Sequence, residues 1–129
     1  MDIGNHNLIA GWIGMLAGIL SGALIGLFFH HEEWLGGYGS FRRRMTRLGH
    51  ISFWGLGLLN MIFAFTTKAA ELPTLLTQVA SFSFLAGAVT MPLCCFLTAW
   101  RGKFRYFFPI PVGSLLLGVV CVLAGLAKA

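Results

Sequence analysis

Four stretches of this chain are too long and too apolar to belong to anything but a membrane-spanning protein. They run 8–29, 48–65, 74–100 and 107–127, and none contains Asp, Glu, Lys or Arg. A hydrocarbon core about 30 Å thick needs roughly 20 apolar residues of helix, so each run is a candidate crossing. The composition agrees: 129 residues, 57% hydrophobic and 10% charged, with a mean hydropathy of +0.82. A soluble core this small could not hide that much apolar surface. The expectation is a single all-α domain, residues 1–129, built as a bundle of four transmembrane helices. No Lys or Arg precedes the first run and no clean small-residue cleavage site follows it, so it is expected to be a retained span and not a signal peptide.

The charges fall between the runs. Arg42, Arg43, Arg44 and Arg47 separate the first two, and Arg101, Lys103 and Arg105 separate the last two. The middle connection has only Lys68 opposed by Glu71. This alternation explains the net charge of +5 as topology and gives no reason to expect nucleic acid as a partner. The excess of positive charge predicts both termini outside and both Arg-rich connections in the cytoplasm, which in a bacterium means the inner membrane. Trp34, Tyr38, Trp100, Phe104, Tyr106 and Phe107 fall at the same boundary, as an aromatic belt would. The arginines could also recruit anionic lipid at about 1 kcal/mol per charge.

Within the spans the distinguishing residues are small. Gly14, Gly18, Gly22 and Gly26 form a four-residue repeat resembling a glycine zipper, and His30 continues the row. Small residues let helix backbones approach closely where lipid removes the hydrophobic drive for association. The second run carries a seam of His50, Gly57, Asn60 and Ala64 at alternating spacings. The third has Ala80, Ser83, Gly87, Thr90 and Cys94, and the fourth Ser114, Gly118, Cys121 and Gly125. These seams predict tight packing, with some of the surface left for helices of other membrane subunits. Asn60 is expected to hydrogen-bond to a neighbouring helix, with orienting a cofactor or lining a path as its other possible roles. Pro92 marks a possible kink.

Polar chemistry is sparse. His30 and His31 close the first span and His50 opens the second, so the three are expected at similar depth on consecutive helices. Two of these imidazoles could hold the iron of a b-type haem, with Arg42, Arg43, Arg44 or Arg47 pairing with its propionates. The same histidines with Glu33 offer ligands for zinc. Met91, Cys94 and Cys95, read as one helical face, form a soft set for copper. Against these stand the ordinary roles of such residues: interfacial polarity, capping and core filling. The three cysteines, Cys94, Cys95 and Cys121, all lie in apolar runs and suggest no disulfide framework. Spans without Asp, Glu, Lys or Arg argue against a pump or an ion-coupled transporter.

"GLFFHHEEW", "FRRRMTRLGHI" and "KFRYFFPIPV" give the chain a layout that resembles small four-helix b-haem membrane proteins of the bacterial membrane protoporphyrinogen oxidase type. The resemblance implies a haem-binding helical bundle. That family's early histidine would correspond to His6, and its basic or histidine residue in a later span has no counterpart here. The activity is therefore not carried across. The expected function is an accessory subunit of a larger membrane complex, of respiratory or electron-transfer type and without catalysis of its own. The alternatives are a b-haem protein using His50 with His30 or His31, and a copper- or zinc-handling protein.

Overall fold

The structure is a computed structural model that describes residues 2–128. Four helices account for nearly all of it: α1 (Ile3–Phe28), α2 (Phe41–Ala69), α3 (Thr74–Trp100) and α4 (Pro109–Leu126). Short 3-10 segments at Trp34–Gly36 and Gly102–Phe107 lie in the first and last connections. All four helices are long and apolar enough to cross a membrane. At 1.5 Å per residue the 29 residues of α2 extend about 44 Å, well beyond the hydrocarbon layer.

The helix ends differ from the hydropathy boundaries for local reasons. Ser40 caps α2, its Oγ accepting from the backbone N–H of Arg43 at 3.2 Å and donating to the Leu35 carbonyl at 2.7 Å. The arginines expected in a connecting loop therefore occupy the first turns of α2. Helix α1 likewise begins at Ile3, five residues ahead of the apolar run, and so includes His6 and Asn7. Pro109 opens α4, where a missing N–H costs nothing, and α3 runs on without interruption through the buried Pro92.

Successive helices pack antiparallel, with α1 on α2, α2 on α3 and α3 on α4, and a lesser contact joins α1 to α3. Helix α3 is the most enclosed, while α1 and α4 present most of their surface outward. The outward residues are large and apolar, among them Trp12, Leu16, Leu24, Leu116 and Leu123. The apolar core is Phe63, Ala80, Phe84 and Cys121, from α2, α3 and α4.

Glycines on one helix receive large side chains from the next. A Cβ on Gly18 would meet the indole of Trp54 at 2.6 Å, and one on Gly22 the ring of His50 at 2.7 Å. Gly49 takes Phe96, Gly118 takes Phe84, and Gly87 takes Leu115. The α1 and α2 backbones approach closely around Gly57: a Cβ on Gly14 would lie 3.0 Å from the Gly57 Cα, and one on Gly11 2.9 Å from its carbonyl oxygen.

The four-residue glycine repeat needs correcting. Gly26 meets nothing within 4 Å, so it takes no part in packing between this chain's own helices. Steps of four advance about 40° around a 3.6-residue helix, and three such steps carry Gly26 off the face that Gly14 occupies. The seam instead runs Gly4, Asn7, Gly11, Gly14, Gly18 and Ser21, facing Thr67, Asn60, Met61, Gly57, Trp54 and His50 respectively. Its alternating steps of three and four are a seven-residue period, which keeps a contact line facing one partner when helices cross left-handedly.

Candidate functional site

The polar residues gather at three levels along the bundle. Nearest the chain termini lies a buried amide cluster. Asn7 on α1 donates through Nδ2 to Asn60 Oδ1 at 2.7 Å, and its own Oδ1 accepts from the Ser81 hydroxyl at 2.5 Å. Asn60 also donates to the Leu56 carbonyl at 2.9 Å within its own helix, and at 3.4 Å to that of Phe84 on α3. Both asparagines are fully buried. Three helices are thereby tied at one height, and Asn60 does what its isolation in an apolar span suggested. Asn7 lies one residue ahead of the first apolar run, and only its place one seam step before Gly11 signals its role.

Midway toward the opposite end, His50 lies against Gly22 with Nδ1 2.9 Å from the Ser21 hydroxyl. The same hydroxyl is 3.2 Å from the Gly18 carbonyl. When Ser21 donates to Gly18, His50 must donate through Nδ1; when Ser21 donates to His50, Nε2 carries the proton. Either way Nδ1 is engaged, and Nε2 is the nitrogen left over.

The third level is the arginine end. Arg43 is 1% exposed. Its Nη2 donates to the Phe29 carbonyl at 2.9 Å, and Nη1 approaches the carbonyls of His31 and Glu32 at 3.4 Å each. The guanidinium carbon lies 5.0 Å from the ring centre of Phe29, 5.1 Å from Tyr38 and 5.4 Å from Trp34. Nε has no hydrogen-bond partner and sits among these rings. The connecting segment folds around the cation: Phe28 stacks on Trp34, Phe29 meets Tyr38 edge-on, and the backbone turns back through Leu35, Gly36 and Gly37 at positive φ. Leu35 at φ 55° adopts the left-handed region despite its side chain, a cost of about 1–2 kcal/mol.

Arg42, the preceding residue, points to the other neighbour. Its Nε donates to the Ala99 carbonyl at 3.1 Å, in the last turn of α3. The start of α2 thus places one cation on the C-terminal end of α1 and another on that of α3. Both ends carry unsatisfied carbonyls and the negative pole of the helix dipole, so the arrangement is favourable at each. Arg47 stacks over Tyr38 at 4.6 Å, and Arg44 is exposed.

The histidines do not arrive together. His50 lies beside Gly22, whereas His30 and His31 follow the end of α1, about 12 Å farther along its axis for His30. They are exposed, with their rings 4.1 Å apart centre to centre. Two imidazoles sharing one metal ion must bring their nitrogens within about 4 Å of each other, twice a metal–nitrogen bond. The expectation of a common depth fails because α2 starts seven residues earlier than its apolar run, which slides His50 down against α1.

Of the soft set on α3, Cys95 is fully buried, Cys94 lines a cavity between α3 and α4, and Met91 is half-buried. Glu33 is exposed. Among the described residues no three His, Cys, Asp or Glu side chains are close enough to hold a metal ion.

An apolar groove of about 480 Å³ lies between α1 and α3, with Phe53 of α2 at its side. Its α1 wall is Ala10, Ile13, Gly14 and Ala17, and its α3 wall sets Ala88 among the larger Leu85, Val89, Pro92, Leu93 and Phe96. The chain matches no family model, no curated protein and no solved structure.

Proposed function

We propose that this chain is an accessory subunit of a larger membrane complex, of electron-transfer type, holding a partner's transmembrane helix in the groove between α1 and α3. The groove carries the reading: it is open and apolar, with Ala10, Gly14, Ala17 and Ala88 forming small-residue gaps between larger apolar side chains. Small-residue surfaces of this kind drive helix association in lipid, where packing replaces the hydrophobic effect. The polar residues add support, since Asn7, Asn60, Ser81, Arg42 and Arg43 are all engaged in joining this chain's own helices. Seven of the nine Lys and Arg lie at the end where α1 and α3 terminate, so this reading puts that end in the cytoplasm and both termini outside.

Extraction in a mild detergent followed by native electrophoresis tests it. The wild-type chain is expected to migrate with partners much larger than itself. Ala17→Trp and Ala88→Trp, which fill the groove, should release it as a small species. Migration as an isolated chain in every mild detergent tried would overturn the reading.

A second reading is favoured by one observation, the bond that fixes Nδ1 of His50. Metal-bound histidines commonly anchor the remote nitrogen this way, leaving Nε2 for the metal. Here His50 would supply one axial ligand of a b-haem shared with a partner subunit. A reduced-minus-oxidised spectrum of the intact complex, lost in His50→Ala, supports it; a spectrum unchanged by His50→Ala sinks it.

A further inference from the structure

The cytoplasmic-type end holds a feature that helix docking does not use. The 3-10 segment Gly102–Phe107 turns two different faces to its surroundings. Phe104 and Phe107, three residues apart and 6.1 Å between ring centres, face a cavity of about 240 Å³ between α3 and α4. Its other walls include Leu93, Cys94, Leu97 and Ile110, and no polar surface is exposed inside it. Lys103, Arg105 and Tyr106 line with Phe41 and Gly102 a second hollow of about 390 Å³, its surface mostly apolar and its charge supplied by the two cations. A six-residue 3-10 helix extends only about 12 Å, so the two hollows share one short wall.

The electrostatics of that wall are one-sided. Residues 100–109 contain Arg101, Lys103 and Arg105 and no acid. Two of the chain's four acids, Asp2 and Glu71, line a hollow at the opposite end of the bundle together with Lys68. Arg105 donates to the Tyr106 hydroxyl at 3.1 Å and lies 5.0 Å from that ring, and Arg101 stacks over Trp100 at 4.7 Å. The guanidinium groups are therefore braced by aromatic rings and not neutralised by carboxylates.

We propose that this segment forms a binding site for an anionic phospholipid, with the phosphate held by Lys103 and Arg105 and an acyl chain entering the cavity behind Phe104 and Phe107. The proposal rests on the membrane placement of the helices and is independent of the subunit reading. The two hollows match the two halves of one ligand: cations with no counter-ion for the headgroup, and a dry apolar cavity for the chain. A partner helix would fill the apolar part and leave the cations bare. A free phosphate would use the cations and leave the cavity empty.

Native mass spectrometry of the full-length protein decides between them, after equilibration with equal amounts of phosphatidylglycerol and phosphatidylcholine in detergent. The wild type should retain one phosphatidylglycerol with about tenfold preference. Lys103→Gln combined with Arg105→Gln should abolish the preference, and Arg44→Gln, at the same end but outside the hollow, should leave it intact. Ile110→Trp, which narrows the cavity from an exposed position, should lower retention with every cation present. Glycerol 3-phosphate at millimolar concentration should displace nothing. Equal retention of the two lipids, equal loss in Arg44→Gln, or displacement by glycerol 3-phosphate would each overturn the proposal.

Discussion

Nη2 of Arg43 lies 2.9 Å from the carbonyl oxygen of Phe29, so the first turn of one helix closes the last turn of the helix before it. This places a cation where the α1 dipole is most negative, and it gives the intervening residues a centre to fold around. The same cation supports three aromatic rings that would otherwise stand loose at the membrane boundary.

Arg43→Ala is expected to destabilise the protein by about 1.5–3 kcal/mol, the range for hydrogen bonds to charged groups. Arg43→Lys should recover only part of this, because an ammonium cannot serve several carbonyls in a planar fork. Thermal unfolding in detergent measures both. Limited proteolysis between residues 29 and 40 should accelerate in each variant, and an unchanged cleavage rate in Arg43→Ala would contradict the capping role.

The Asn7–Asn60 bond is measurable as a coupling. A double-mutant cycle with Asn7→Ala and Asn60→Ala should give about 0.6–1.7 kcal/mol, the span seen for interhelical hydrogen bonds in membranes. Additive single effects would mean that the two amides do not depend on each other.

The glycines separate into two classes. Gly18→Leu must displace Trp54, and Gly11→Leu must displace Met61 and approach the Gly57 carbonyl, 2.9 Å from a Cβ at that position. Both should cost more than 2 kcal/mol, as overpacking of a tight contact does. Gly26→Leu, at a position open to 4 Å, should unfold within about 0.5 kcal/mol of the wild type. Equal losses at positions 18 and 26 would restore the four-residue repeat and remove the seven-residue one.

Topology is open to direct chemical labelling. In sealed vesicles, single cysteines replacing Asp2 and Lys128 should react with an impermeant maleimide from one side, and one replacing Arg44 only from the other. Labelling of positions 2 and 128 from opposite sides would require an odd number of crossings.

Hydropathy alone makes the four helices legible, because a run of apolar residues free of charge has no other home. The seam on α2 is equally readable: His50, Gly57, Asn60 and Ala64 are spaced by seven, three and four, a seven-residue period, and α1 packs along them. What hydropathy hides is where the helices end. Helices extend past the apolar boundary when a cap such as Ser40 or a polar first turn such as Gly4–Asn7 suits them. Those extra turns contain Asn7, Arg42 and Arg43, three of the residues that hold the helices together. They also shift the register, which is why His50 faces Gly22 and not the histidine pair. The four-glycine repeat misleads in a related way, since identical spacing in sequence is not an identical direction in space.

The amide cluster at Asn7, Asn60 and Ser81 has a mechanical corollary. Sliding any one of α1, α2 or α3 by a turn would strand an amide in hydrocarbon, so these three move as a single rigid strut. Helix α4 is fastened differently, by one hydroxyl from Ser114 to the Ser83 carbonyl at 2.6 Å and by interlocking apolar shapes at Gly87 and Gly118. The joint between the third and fourth crossings therefore rests on complementary shape, with a single polar tie to set its height.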